Sequence, residues 1–183
     1  AEVKKPGRTT LSARKLYEIA REASAEDLVL RASTAGWVEL VAGRSKFKIV
    51  SLDPKDFPQL PFGRGESGDA TVRMAAGTLR DMIDRTLFAV STDETRFNLS
   101  GVYMENAEDG SIRMVATDGH RLALIDRTVP GAKIPRGVIM PRKGLVEVRK
   151  LLEDIGEGEV TLTVGAKDVR LETAAVSFFK RML

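Results

Sequence analysis

The side chains able to do chemistry in this sequence are few and scattered. One histidine, His120, follows the dipeptide Asp118-Gly119. The chain has no cysteine, so His120 has no thiol to activate, and no HxxxH or HxH pairing exists to build a zinc site. A lone histidine beside a turn reads as structural or simply exposed. Two acid pairs, Asp81 with Asp84 and Asp93 with Glu94, fall on a predicted helix face and in a polar loop. Solvated carboxylates are the expected reading there, and a small hydrolase using the acids around Asp93 is the rival one. The phosphate-cradling pattern GxxxxGK followed by Ser or Thr is absent, and Gly43-Arg44-Ser45 lacks the strand-to-helix context of such a loop. These residues imply no metal, no cofactor and no enzyme.

The cations carry more signal. Between Val129 and Lys150 stand Lys133, Arg136, Arg142, Lys143, Arg149 and Lys150, with Glu147 as the sole acid. The segment is either an anion-facing patch or a solvated helix face. The net charge of +3 does not decide, because clustering matters more than the total. Lysine and arginine at helical spacing, away from a core, can follow phosphates without reading bases, so binding of that kind is sequence-blind and mobile. Aromatic residues are only 5% of the chain and do not interleave with the basic ones. That argues against a single-strand stacking platform and makes duplex the expected partner.

Hydrophobic periodicity supplies the elements that must hold these residues. Ser12 to Ala23 reads as a helix capped by Ser12, with Leu16, Ile19, Ala20 and Ala23 on one face and Arg14 and Arg21 on the other. Leu28 to Ala32, Gly36 to Ala42 and Lys46 to Leu52 alternate like three strands of an antiparallel meander, in which Trp37 is expected to pack in the core or sheet. The prolines of Asp53 to Pro61 stiffen an extended connector and mark a domain boundary. Ala70 to Ala75 reads as a strand and Thr78 to Phe88 as a helix with Leu79, Met82, Ile83 and Thr86 inward. Phe97 to Met104, Ser111 to Thr117 and Arg121 to Arg127 read as strands, the last two joined by a hairpin turn in which Asp118 and Gly119 both tolerate positive φ. Gly137 to Met140 leads into a helix from Arg142 to about Glu153. Its core face is Leu145, Val148 and Leu152, with Lys143 and Lys150 outward. Glu159 to Val164, Asp168 to Thr173 and Val176 to Leu183 are the last strands.

An internal repeat emerges, because Arg14-Lys15 and Arg142-Lys143 each open a helix followed by three strands. A period of roughly 130 residues suits tandem whole domains better than a solenoid. The chain then begins halfway through one copy and completes nearly all of the next. With 43% hydrophobic and 30% charged residues it reads as globular, and the lack of cysteine fits a reducing, cytoplasmic setting. No segment approaches the roughly 20 apolar residues of a membrane span, and nothing apolar follows Lys4, Lys5 and Arg8, so neither insertion nor secretion is expected.

Val115-Ala116-Thr117-Asp118-Gly119-His120-Arg121-Leu122-Ala123 closely resembles the β subunit of bacterial DNA polymerase III, the sliding-clamp family. Gly43 to Phe47, Asp56-Phe57-Pro58, Phe88 to Ser91, Arg96-Phe97 with Leu99, and Pro141 to Gly144 look like other segments of that family in the same order. The resemblance implies an α+β DNA-clamp fold with antiparallel sheets outside and helices lining the interior of a homodimeric ring. It implies no catalysis: the protein would encircle double-stranded DNA as a processivity factor. Polymerase III catalytic subunit and clamp loader would bind it through short linear peptides. Residues 1–60 would be the second half of clamp domain 1, 61–69 a linker, 70–183 domain 2, and domain 3 would be absent. Arg14, Arg80, Arg142 and Lys143 match positions that face DNA; Leu99, Thr117, Gly119, His120, Arg121 and Leu122 match one wall of the peptide pocket. Arg44, Lys46, Phe47 and Ile49 match the subunit-interface strand. The family pattern is departed from at Ser91 to Thr95, which is acidic, and on the Thr78 helix, where Asp81, Asp84 and Arg85 give a mixed outer face. The alternative is a peptide-binding scaffold of the same fold that never meets DNA.

Overall fold

The computed structural model describes residues 2–33, 36–57, 69–93, 95–134, 136–165 and 168–181. The chain divides into two compact units, residues 1–60 and 61–183. The linker expected over 61–69 lies outside the described residues except for Asp69, as do Pro58 to Pro61 of the expected connector, Glu94 and Leu183.

In the first unit, helix α1 (Ala13–Glu22) opens on Ser12, whose hydroxyl accepts the Lys15 N–H at 3.4 Å. Strands β1 (Leu28–Ala32), β2 (Trp37–Ala42) and β3 (Ser45–Val50) form an antiparallel sheet in that order. Gly43, at φ +58°, takes the left-handed conformation that the two-residue β2–β3 turn requires. Alternation along the strands buries Val38, Leu40, Ala42 and Ile49. Trp37 is on the opposite face beside Val50 and is 46% exposed, so of the two expectations for it, core or sheet, the structure keeps the sheet. Helix α1 contributes no fully buried residue, so its apolar stripe of Leu16 and Ile19 is only half covered. The connector after β3 begins with a single helical turn, Pro54–Asp56, capped by the Asp53 carboxylate.

The second unit is a two-sheet, two-helix domain. Its elements are β4 (Ala70–Ala75), α2 (Ala76–Asp84), β5 (Gly101–Asn106), β6 (Ile112–Thr117), β7 (Leu122–Arg127) and β8 (Val138–Pro141), then α3 (Arg142–Ile155), β9 (Glu159–Val164), β10 (Asp168–Glu172) and β11 (Ser177–Arg181). Antiparallel sheets run in the orders β7-β6-β5-β8 and β11-β10-β9-β4. One core joins Leu79, Met82 and Ile83 of α2 and Leu145, Val148 and Leu152 of α3 to the inward rows of both sheets. Burying each such side chain contributes about 1.5–3 kcal/mol, so this core dominates the unit's stability.

Two elements differ from the sequence reading. Helix α2 stops at Asp84 and the buried Thr86 hydroxyl bonds back to the Met82 carbonyl at 2.8 Å, so a short separate turn (Leu87–Ala89) follows where one helix was expected to reach Phe88. Phe97–Leu99 is a 3-10 turn rather than the start of a strand, because the Ser100 hydroxyl bonds the Phe97 carbonyl and Ser91 N–H takes the Leu99 carbonyl. The repeat is present as topology: α1-β1-β2-β3 and α3-β9-β10-β11 have the same order and antiparallel pairing.

Candidate functional site

The turn between β6 and β7 is organised around the Asp118 carboxylate. Oδ1 accepts the backbone N–H groups of His120 and Arg121 at 2.9 and 3.0 Å, and Oδ2 accepts Nε of Arg121 at 3.0 Å. The bond from His120 N–H, then that from Arg121, holds the Asp118 pKa down at about 2. Thr117 Oγ1 accepts the Gly119 N–H at 3.1 Å and donates to the Arg121 carbonyl at 2.7 Å. Gly119 alone turns left-handed, at φ +92°; no other residue type among the described residues has positive φ, which corrects the expectation for Asp118. Asp118 is suited to the turn by its acceptor oxygens instead.

Arg121 then ties the turn to a distant segment. Its Nη2 donates to the Phe88 carbonyl at 2.7 Å, and its guanidinium lies 5.6 Å from the centre of the Phe88 ring. Arg96 donates to the Asp118 carbonyl at 3.4 Å from the residue preceding the Phe97–Leu99 turn. The fold thus brings Thr117, Gly119, His120, Arg121 and Leu122 together, with Leu99 at the end of the neighbouring turn. His120 and Leu122 are exposed and Leu99 is half-buried. Phe88, which is 57% exposed, and Arg96 belong to this surface too, and sequence reasoning left them out of the site. The available signal was position: Phe88 falls off the Leu79, Met82, Ile83, Thr86 stripe.

The expected DNA-facing cations occupy different settings. Arg142 and Lys143 stand exposed at the first turn of α3, where the positive end of the helix dipole adds to their charge, and the Arg142 N–H donates to the Ser100 carbonyl at 3.1 Å. Arg14 is on the exposed side of α1, bonded to Glu18 at 2.8 Å. Arg80 is engaged by carboxylates: it pairs with Asp84 at 3.7 Å and Glu153 at 3.2 Å, while Arg149 bonds Asp84 at 2.5 Å. These pairs stitch α2 to α3 and neutralise part of that face. The acids Asp81 and Asp84, expected to be solvated, are ion-paired, Asp81 with Arg85 and Arg127. Among the described residues no group of three or more His, Asp or Glu could hold a metal ion, and no helix is long and apolar enough to cross a membrane.

In the first unit, β3 is a sheet edge, with Arg44 in the turn before it. A groove of 540 Å³ is bounded by Glu18, Ile19 and Glu22 of α1 on one side and by Arg44 and Phe47 on the other. Lys46 is on the other face of the strand, and Ile49 is 4% exposed in the unit's own core. Of the four interface candidates, Ile49 is therefore committed to the unit's own core by its side chain.

The fold and these surfaces define an α+β protein of repeated helix-and-three-strand units, with an exposed cluster at the β6–β7 turn and β3 at a sheet edge. Residues 73–183 match the family model of the DNA polymerase III beta subunit, central domain, and residues 1–61 that of its N-terminal domain. The beta sliding clamp of Caulobacter vibrioides is 39% identical over 191 residues, covering 100% of this chain and 50% of the relative. That of Pseudomonas aeruginosa is 34% identical over 180 residues, covering 97% and 47%. The crystal structure of the Bartonella birtlesii sliding clamp bound to griselimycin superposes with a TM-score of 0.90 at 33% identity, over 100% of this chain and 49% of that one. The Caulobacter crescentus clamp gives 0.88 at 37%, over 99% and 49%. The chain has the sliding-clamp fold and belongs to the DNA polymerase III beta subunit family. It spans about half the length of the curated relatives it matches.

Proposed function

We propose that the protein is a non-catalytic processivity factor that encircles duplex DNA and tethers polymerase III, its clamp loader and other replication proteins through short linear peptides. Membership in a family whose relatives are named beta sliding clamps supports this, together with one observation that carries it: Arg142 and Lys143 stand exposed at the first turn of α3. Arg14 is the corresponding cation of the first unit. Arg80 is the weakest of the four DNA candidates, because a phosphate would compete with Asp84 and Glu153 for it. Leu99, Thr117, Gly119, His120, Arg121 and Leu122 are proposed as one wall of the peptide pocket, in which Arg121 orders the turn as well as lining it.

Residues 1–60 are proposed as the second half of one clamp domain and 70–183 as the next, joined through 61–69. The internal comparison supports this. In the second unit β4 covers the outer edge of β9, and α2 packs beside α3. In the first unit β1 is an edge strand with Val29 and Leu30 about half exposed, and α1 buries nothing completely. A preceding strand and helix would cover both surfaces. Arg44, Lys46 and Phe47 on the β3 edge are proposed to meet the third domain of a second copy, closing a cytoplasmic homodimeric ring by continuing the sheet.

Retention on DNA tests the reading. The full-length protein loaded on nicked circular duplex is expected to stay bound at salt that dissociates it from linear duplex, since a ring escapes only over an end. Equal loss from both would overturn encirclement. The self-neutralised Arg80, Asp84, Arg149 and Glu153 quartet favours a second reading, a peptide-binding scaffold without DNA. That reading requires no salt-sensitive retention on either form.

A further inference from the structure

The face of the β7-β6-β5-β8 sheet turned away from the core carries a band that the Asp118 turn does not use. Strand register places Leu124 beside Val115, Val115 beside Tyr103 and Tyr103 beside Ile139. One apolar row therefore crosses all four strands, opposite the buried row that includes Met114, Met104 and Met140. Leu124 is 49% exposed and Leu122, two residues earlier on the same face, 64%. The row is flat as well as apolar. A Cβ on Gly101 would strike the Ile139 side chain, and one on Gly137 the Tyr103 ring, so both side chains lie down over glycine backbone.

The next row is charged. Arg113 donates twice to Asp126, both bonds at 2.8 Å. Its pKa is raised, first by that bond and then by the fields of Asp126, Glu105 and Asp109. Three carboxylates thus surround one guanidinium, leaving this end of the band acidic. From Leu122 to Glu105 is about 13–14 Å along the strands and about 10 Å across two strand spacings, about 16–17 Å in all, which roughly five extended residues span.

A contiguous apolar surface rimmed by charge marks an interaction site, and the sign of the rim selects the occupant. Nucleic acid, anionic lipid and acidic peptides are repelled by it. We propose that a linear peptide seated at Thr117 to Leu122 runs on across this band, with apolar side chains on Leu124, Val115 and Tyr103 and a lysine or arginine at the Glu105 and Asp109 end. The proposal rests on the peptide-pocket reading above and adds a recognition rule to it: two apolar residues at alternate positions, then a cation.

A random peptide library displayed on phage and selected on the immobilised protein tests this. Selected peptides are expected to carry that pattern, and their affinity to fall about tenfold in Leu124→Ser, the cost of leaving one apolar side chain unburied. Glu105→Lys should produce a similar loss, and a peptide with its cation changed to glutamate should regain affinity for Glu105→Lys. Such rescue cannot come from misfolding. Selected peptides that bind Leu124→Ser, Tyr103→Ser and Glu105→Lys like the unmodified protein overturn the extension. If those peptides still weaken in His120→Ala, the pocket reading survives alone. Loss in Leu124→Ser with none in His120→Ala also overturns the continuous track, and there the pocket reading fails instead.

Discussion

Arg121 reaches back to Phe88, a residue 33 positions earlier, donating to its carbonyl at 2.7 Å and stacking its guanidinium on the ring. The same side chain is held by Asp118, so one arginine fixes a hairpin turn against the segment that follows α2.

The turn should loosen in acid. The folded pKa of Asp118, about 2, lies below the unfolded value of about 3.9, so its stabilising bonds are complete above that value and fade as pH falls toward the folded one. Amide exchange of His120 and Arg121 should quicken over that window. In Asp118→Asn, which keeps an acceptor but no charge, this acid step should vanish; its persistence would assign it to another carboxylate.

Arg170 and Asp69 form a buried ion pair at 2.9 Å, with side chains 6% and 8% exposed, and Arg170 also bonds Asp168 at 3.2 Å. Arg170→Met should lower unfolding free energy by about 3–5 kcal/mol, because it removes the guanidinium paired with the buried Asp69 carboxylate. Adding Asp69→Leu should recover most of that loss. Urea denaturation of the two variants measures it, and additive losses would show that the pair is not coupled.

Gly101→Ala should destabilise by about 1–3 kcal/mol, since the added methyl meets the Met140 carbonyl oxygen and the Ile139 side chain. Gly77→Ala in α2 is the control. Its methyl meets nothing within 4 Å, and reduced freedom of the unfolded chain should stabilise by about 0.4–1 kcal/mol. Melting curves that move in the same direction for both would contradict the packing described for β5 and β8.

In the full-length protein, Arg142→Glu with Lys143→Glu should weaken duplex binding and reduce the salt slope by about two, one phosphate contact for each residue. Peptide affinity should be nearly unchanged. A parallel loss of both activities would indicate unfolding rather than lost phosphate contacts.

For the peptide pocket, Leu99→Ala combined with His120→Ala should weaken binding of a phage-selected, fluorescein-labelled peptide by about tenfold or more. The salt dependence of duplex binding should not move. An unaltered peptide dissociation constant would place the pocket elsewhere on the protein.

Local pattern alone determined much of this protein. The 3.6-residue stripes of α1 and α3, the short strand runs of β1 to β3 and β9 to β11, the Ser12 cap and the repeated helix-and-three-strand order are all legible, because each arises from contacts between near neighbours in sequence. The Asp118-Gly119 turn and the family resemblance around it are legible for the same reason. Tertiary structure decided what depends on residues far apart. Two exceptions are local yet invisible to periodicity: the Thr86 and Ser100 hydroxyls bond carbonyls four and three residues back and divert their segments into short turns. Trp37 lies on the face of its sheet that the core does not reach. Whether Arg80 is available to a phosphate is set by Glu153, and the position of Arg121 by Phe88, partners that only folding brings within reach. Side-chain type and spacing name the groups that can bind; which of them are already engaged is fixed by long-range packing.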